Sequence, residues 1–155
     1  MKLIAHRGLL DGPDKDLENH PDQIQKAWSL GFDCEIDLRV IDGQLWLGHD
    51  LPQYQITHNF LELGPLWIHA KNYEALRYLS ITRFNYFWHQ EDDYTITSRN
   101  VIWAYPGKTV DNRSVMVMPE WQNPELKSLD TVECYGICSD YVAKIQAQFP
   151  KSILP

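Results

Sequence analysis

Four short stretches hold the side chains best suited to chemistry: His6-Arg7-Gly8, Glu35-x-Asp37, His49-Asp50 and His69-x-Lys71. On an extended strand successive side chains point to opposite faces, so Glu35 and Asp37 share one face, and so do His69 and Lys71. Two carboxylates side by side repel unless a cation lies between them, and hard carboxylate oxygens suit Mg²⁺ or Ca²⁺. An imidazole such as His69 beside them lowers the negative charge and makes the site friendlier to Mn²⁺ or Zn²⁺. His6 and His49 are able to trade a proton near neutral pH. Arg7 carries a planar fork matched to two phosphate oxygens, and Lys71 adds a point charge. Together these groups describe metal-assisted phosphoryl chemistry.

Each residue also has an ordinary reading. Arg7 is otherwise a surface salt-bridge partner, and Lys71 a snorkelling surface lysine. Glu35 and Asp37 as solvent-facing acids fit poorly with Phe32, Cys34, Ile36 and Leu38 on the opposite face. His69 is either a ligand or a bystander, with Glu120 or Asp92 then supplying a further oxygen. Glu18, Asp50 and Glu120 are expected to support the site from behind: Glu18 by orienting Arg7 or a metal-bound group, Asp50 as a turn residue or as the partner of His49. The polar run Trp88 to Tyr94 is either part of the site or a solvated loop. Trp121 either walls the pocket or finishes the core.

The elements that must position these groups alternate between strand and helix. Lys2 to His6 reads as a strand. His20 or Asn19 caps a helix with Pro21 at its first position and Gly31 beyond its end. Phe32 to Ile41 is a second strand, and Asp42-Gly43 predicts a type I′ turn that folds Leu45 to Leu47 back and delivers His49. Further strands are expected at Pro65 to Ala70, Asn85 to Trp88, Val101 to Tyr105, Ser114 to Met118 and within Val132 to Cys138. Helices are expected from Asn72 to Leu79 and after Ser139 or Asp140. Strand and helix in alternation imply parallel β/α units.

The size and charge of the chain narrow its partners. At 155 residues, 44% hydrophobic and with six tryptophans, it has one domain's worth of core. A net charge of −7 makes nucleic acid an unexpected partner. No apolar run reaches the roughly 20 residues that span a bilayer. Met1 to Ala5 is too short for a signal peptide. Three cysteines give no disulfide framework, and Cys134 with Cys138 as a metal pair conflicts with a strand or turn there. The expected location is cytoplasmic.

The order His6-Arg7-Gly8, Glu18-Asn19, Glu35-x-Asp37, Asp42-Gly43, His49-Asp50 resembles the glycerophosphodiester phosphodiesterase family, within the larger group of phospholipase-C-like barrels. Ile68-His69-Ala70-Lys71 falls where that family has an acid-x-Lys strand, and Gly136 to Asp140 resembles its last strand. The resemblance implies an α/β fold of (β/α) TIM-type barrel. Such a barrel typically needs about 250 residues, so this one is expected to be reduced or incomplete. Gln90 to Asn100, Pro106 to Arg113 and Pro119 to Thr131 are too short for full crossover helices. The resemblance further implies general acid–base catalysis by His6 and His49, with Arg7 and Lys71 on the phosphate and a divalent metal ion on Glu35 and Asp37.

Two departures from the family pattern bear on function. His69 stands where the family has an acid as third metal ligand. Only fourteen residues, Leu51 to Gly64, replace the family's insertion over the pocket, so glycerol specificity does not carry over. The expected substrate is a small-molecule or polymeric phosphodiester. The alternative is a retired barrel that binds a phosphorylated ligand without turning it over.

Overall fold

The protein is described by a computed structural model in which residues 1–150 are placed. Among the described residues ten strands form one sheet: β1 (Lys2–Ala5), β2 (Asp33–Ile41), β3 (Gln44–Leu47), β4 (Tyr54–Ile56), β5 (Leu66–Ala70), β6 (Tyr86–Phe87), β7 (Tyr94–Ile96), β8 (Ile102–Ala104), β9 (Ser114–Val117) and β10 (Gly136–Ser139). Among the described residues three α-helices accompany them: α1 (Pro21–Ser29), α2 (Tyr73–Leu79) and α3 (Val142–Gln148).

Seven strands run parallel in the spatial order β8-β9-β10-β1-β2-β5-β6, which is also their cyclic order along the chain. The sheet curls until its two ends meet: Phe87 of β6 stacks on Trp103 of β8 with centroids 4.6 Å apart. Between those ends the ladder is interrupted. The gap is bridged by Ser98 N–H donating to Tyr86 O (2.8 Å) and Thr95 Oγ1 donating to Trp88 O (2.9 Å). The result is a mixed α/β partial barrel.

Alternation along the strands builds two cores. Cys34, Ile36 and Leu38 of β2 face outward and pack with Ile24 and Ala27 of α1, Ala75 and Leu79 of α2, and Val142 and Ile145 of α3. Ile4, Trp67, Phe87, Trp103, Val115, Val117 and Cys138 fill the inside of the curl. Glu35 and Asp37 belong to that inner face.

Local sequence explains the elements beside the site. His20 caps α1, its Nδ1 accepting from Asp22 N–H at 3.1 Å, with Pro21 at the first position. Asp42 (φ 50°) and Gly43 (φ 74°) make the left-handed pair that a two-residue hairpin turn needs. The connections after β6, β8 and β9 hold no α-helix, only the short strand β7 and single turns of 3₁₀-helix.

The start of α3 departs from the sequence reading. Neither Ser139 nor Asp140 caps it; Tyr141 occupies the cap position without a side-chain bond. Ser139 is drawn to the Glu120 carboxylate and Asp140 to His6, because both lie at the end of a strand where the site's charges must be satisfied.

Among the described residues Cys134 and Cys138 are not part of a cluster that could hold a metal ion. All three cysteines are free; Cys138 sits in the inner core and Cys134 packs against the outer one. Burial pushes the Cys34 and Cys138 thiols well above their ordinary range. Thiol titration with a disulfide reagent at pH 8 should therefore label neither in the native protein, and both once it is denatured. No helix among the described residues is long and apolar enough to cross a membrane.

Candidate active site and metal centre

The groups singled out in the sequence converge at the C-terminal ends of the parallel strands. His6, Arg7, Glu35, Asp37, His49, His69 and Lys71 line one cavity of about 300 Å³. His6 and Arg7 follow β1, Glu35 and Asp37 lie on β2, and His69 and Lys71 close β5. The parallel register sets Asp37 beside His69 and Glu35 beside Trp67.

The turn at the end of β1 explains His6-Arg7-Gly8. Arg7 is left-handed (φ 51°), as is Gly8 (φ 78°), and Leu9 N–H closes the turn onto His6 O at 2.9 Å. A Cβ on Gly8 would stand 3.0 Å from Ile24 Cγ1 and 3.3 Å from the Ile24 backbone, so α1 fits only against glycine. The left-handed arginine costs about 1 kcal/mol, a strain that concentrates at functional sites. It aims the Arg7 N–H at Glu35 Oε2 (3.2 Å) and the guanidinium at Glu18 (2.8 Å) and Asp37 (3.2 Å). Glu18 thus accepts from the Arg7 guanidinium.

His49 arrives by a second forced turn. Gly48 has φ 149°, and a Cβ there would fall 2.0 Å from the Leu51 carbonyl oxygen. Gly48 N–H donates to Asp37 O (3.1 Å), and the Arg39 guanidinium donates to Gly48 O (3.1 Å) and Asp50 O (3.2 Å). Gly48→Ala should therefore displace His49 and destabilise the fold by about 2 kcal/mol, a fall of roughly 4–8 °C in thermal unfolding.

Each of these two histidines is backed by a carboxylate. His6 Nδ1 lies 2.7 Å from Asp140 Oδ1, and His49 Nδ1 lies 2.8 Å from Asp50 Oδ1. Carboxylates only accept, so in each ring Nδ1 carries the proton and Nε2 is left for other work. Burial works against charging His6, but Asp140 and Glu35 outweigh it and raise its pKa. Burial lowers that of His49.

Glu35 and Asp37 are 3% and 1% exposed, so they are not solvent-facing. Their surroundings differ. Burial and the neighbouring Asp37 push the Glu35 carboxyl upward, against His6, His69 and Arg7. Burial opposes ionisation of Asp37 too, yet the adjacent His69 ring and the charges of Arg7 and Lys71 hold it well below the usual carboxylate range. Asn19 secures Asp37 at both ends, donating to Oδ2 and accepting from the backbone N–H, each at 2.9 Å.

His69 settles into a ligand-ready tautomer. Its Nε2 lies 2.8 Å from the His89 carbonyl, which can only accept, so Nε2 carries the proton. Nδ1 then faces Asp37 Oδ1 at 3.3 Å and Glu35 Oε1 at 4.0 Å. A lone pair facing two carboxylates needs a cation between them, either a second proton or a metal ion. One donor atom each from Glu35, Asp37 and His69 lies within 4.8 Å of the others. That is inside the about 5.2 Å that two opposed ligands of Ca²⁺ span. The donor set therefore fits a divalent ion.

Glu120 and Asp92 lie outside the Glu35, Asp37 and His69 cluster. Asp92 is exposed, and the Glu120 carboxylate takes Ser139 Oγ–H (2.9 Å) and Asp140 N–H (3.0 Å). Glu120 thereby fixes the Asp140 turn behind His6. Lys71 Nζ lies 3.8 Å from Asp37 Oδ1 at the cavity wall.

Four residues of the site, Asp140, Asn19, Arg39 and His89, gain roles that the sequence does not assign them. In the sequence Asp140 reads as a helix-cap candidate at the end of the last strand, and Asn19 as a cap candidate beside Glu18. The bonds of Asn19 and Arg39 depend on long-range register that no local pattern reveals. His89 lines the cavity, and its Nδ1 is buried without a hydrogen-bond partner, as is Arg7 Nε. No protein-family model, curated protein or solved structure matches this chain.

Proposed function

We propose that the chain is a metal-dependent phosphodiesterase on a shortened phospholipase-C-like barrel, cleaving a glycerophosphodiester-like substrate or a related phosphodiester. The observation that carries this reading is one cavity with two imidazoles, each backed by a carboxylate, around a buried Glu/Asp/His cluster. Such a set is costly to bury and has no structural need to converge.

In this reading, one of His6 and His49 takes the proton of the attacking water or substrate hydroxyl. The other protonates the leaving alkoxide. Asp140 and Asp50 hold the two rings in the tautomer that presents Nε2. Arg7 and Lys71 neutralise the non-bridging oxygens, and Glu18 keeps the guanidinium aimed. A divalent ion on Glu35, Asp37 and His69 would supply Lewis-acid charge compensation. Mg²⁺ or Ca²⁺ suits the two carboxylates, and His69 widens the choice to Mn²⁺ or Zn²⁺.

The test is turnover of bis(p-nitrophenyl) phosphate and glycerophosphocholine with each of these ions added. Metal-stimulated release of alcohol supports the reading. Inertness across the panel, with thermal stabilisation by glycerol phosphate, would make the chain a binder of phosphorylated ligands instead.

A further inference from the structure

One side of the cavity takes no part in the proton transfers or charge compensation above. Trp88, Tyr105, Pro106, Met118 and Trp121 line it beyond His89, and it is open to solvent: Tyr105 is 42% and Trp121 59% exposed. Large apolar surface left exposed against an ionic cluster marks a place where part of a ligand lies.

This wall is firmly mounted. Trp121 sits in a 3₁₀ turn whose N–H groups at 121, 122 and 123 bond back to Met118 O (3.1 Å) and Pro119 O (3.2 and 2.9 Å). The central residue of that turn is Glu120, whose carboxylate is tied to Ser139 and Asp140. Tyr105 is held by its N–H on Asp93 O at 2.9 Å, and its ring meets His89 edge to face at 5.9 Å. Trp121 and His6 are thus both braced by the same strand end.

We infer that Trp121, Tyr105 and Met118 form a subsite for a neutral, flat ring on one ester arm of the phosphodiester. This rests on the phosphodiesterase reading and names its substrate class: esters of an aryl or heteroaryl alcohol in preference to glycerol. Flat aromatic faces reward stacking. A cationic arm gains no ion pair here, because among the described residues the carboxylates lining the cavity are Glu35 and Asp37, already engaged with Arg7, His69 and Lys71.

Ligand affinity tests this separately from turnover. With the preferred divalent ion present, tryptophan fluorescence would be titrated with p-nitrophenyl phosphate, glycerol phosphate and choline phosphate. The expected result is about tenfold tighter binding of the aryl ester than of the other two. Trp121→Ala should bring that ratio close to one, and Trp121→Phe should restore most of it. Unfolding temperature serves as a check that each variant is folded, and Tyr105→Ala gives a second route should the alanine at 121 fail. Equal affinity for all three ligands, tighter binding of choline phosphate, or an aryl preference untouched by both alanine variants would overturn the inference. Aryl preference without turnover of any diester would remove the catalytic reading and leave the subsite standing.

Discussion

Replacing His6 with alanine should lower phosphodiester turnover by more than about a hundredfold, the usual scale for a lost general acid or base. The loss should fall on kcat, with KM changed little, because the proposed mechanism assigns the hold on the phosphate to Arg7 and Lys71. His6 is well placed for such an effect: Asp140 lies 2.7 Å behind one ring nitrogen, and the other faces Glu35 at 3.9 Å across the cavity floor. Asp140→Asn should lower the rate in the same direction by less, since it weakens the brace and leaves the ring. The fold should survive both changes, because the outer core that holds the helices contains neither residue. An unchanged rate in His6→Ala, measured with the metal present, would take this histidine out of the mechanism.

Much of the inner arrangement is legible in the sequence because it follows from period-two alternation. Glu35-x-Asp37 and His69-x-Lys71 declare a shared face by spacing alone, and Asp42-Gly43 declares the hairpin that brings His49 home. At Ser139 and Asp140 a local rule meets a stronger long-range demand. Both residues are good helix caps in isolation, yet the Glu120 carboxyl and the His6 ring claim them first. Strands β4 and β7 escape a sequence reading for a related reason. Each is three residues long and pairs only at a sheet edge, too short to show a period. Chain length bounds the extent of the barrel. It does not say how the ends meet, because the Phe87–Trp103 stack joins residues whose partnership depends on the curl of the whole sheet.

Metal binding offers the second large effect, and two isosteric changes separate it from stability. Asp37→Asn and Glu35→Gln should each weaken divalent-ion affinity by at least about a hundredfold, measured calorimetrically, since each removes an anionic donor. In metal-free protein their effects on stability should have opposite signs. Asp37 anchors Arg7, His69 and Lys71, all within 3.8 Å. Its loss strands buried positive charge and should cost about 3–5 kcal/mol. Glu35 lies buried against a like charge, and its carboxyl is pushed upward by that setting. A folded-state carboxyl pKa above the unfolded one means the charged form destabilises the fold, a penalty that grows as pH rises above the unfolded carboxyl's range. Glutamine removes that charge while its amide oxygen can still accept from Arg7 N–H, so the melting temperature of metal-free Glu35→Gln should rise. Two carboxylates serving only as structural ion-pair partners would both be destabilising to lose. A stabilising Glu35→Gln that also abolishes ion binding is the signature of an acid retained for a cation, at a cost to the fold that holds it.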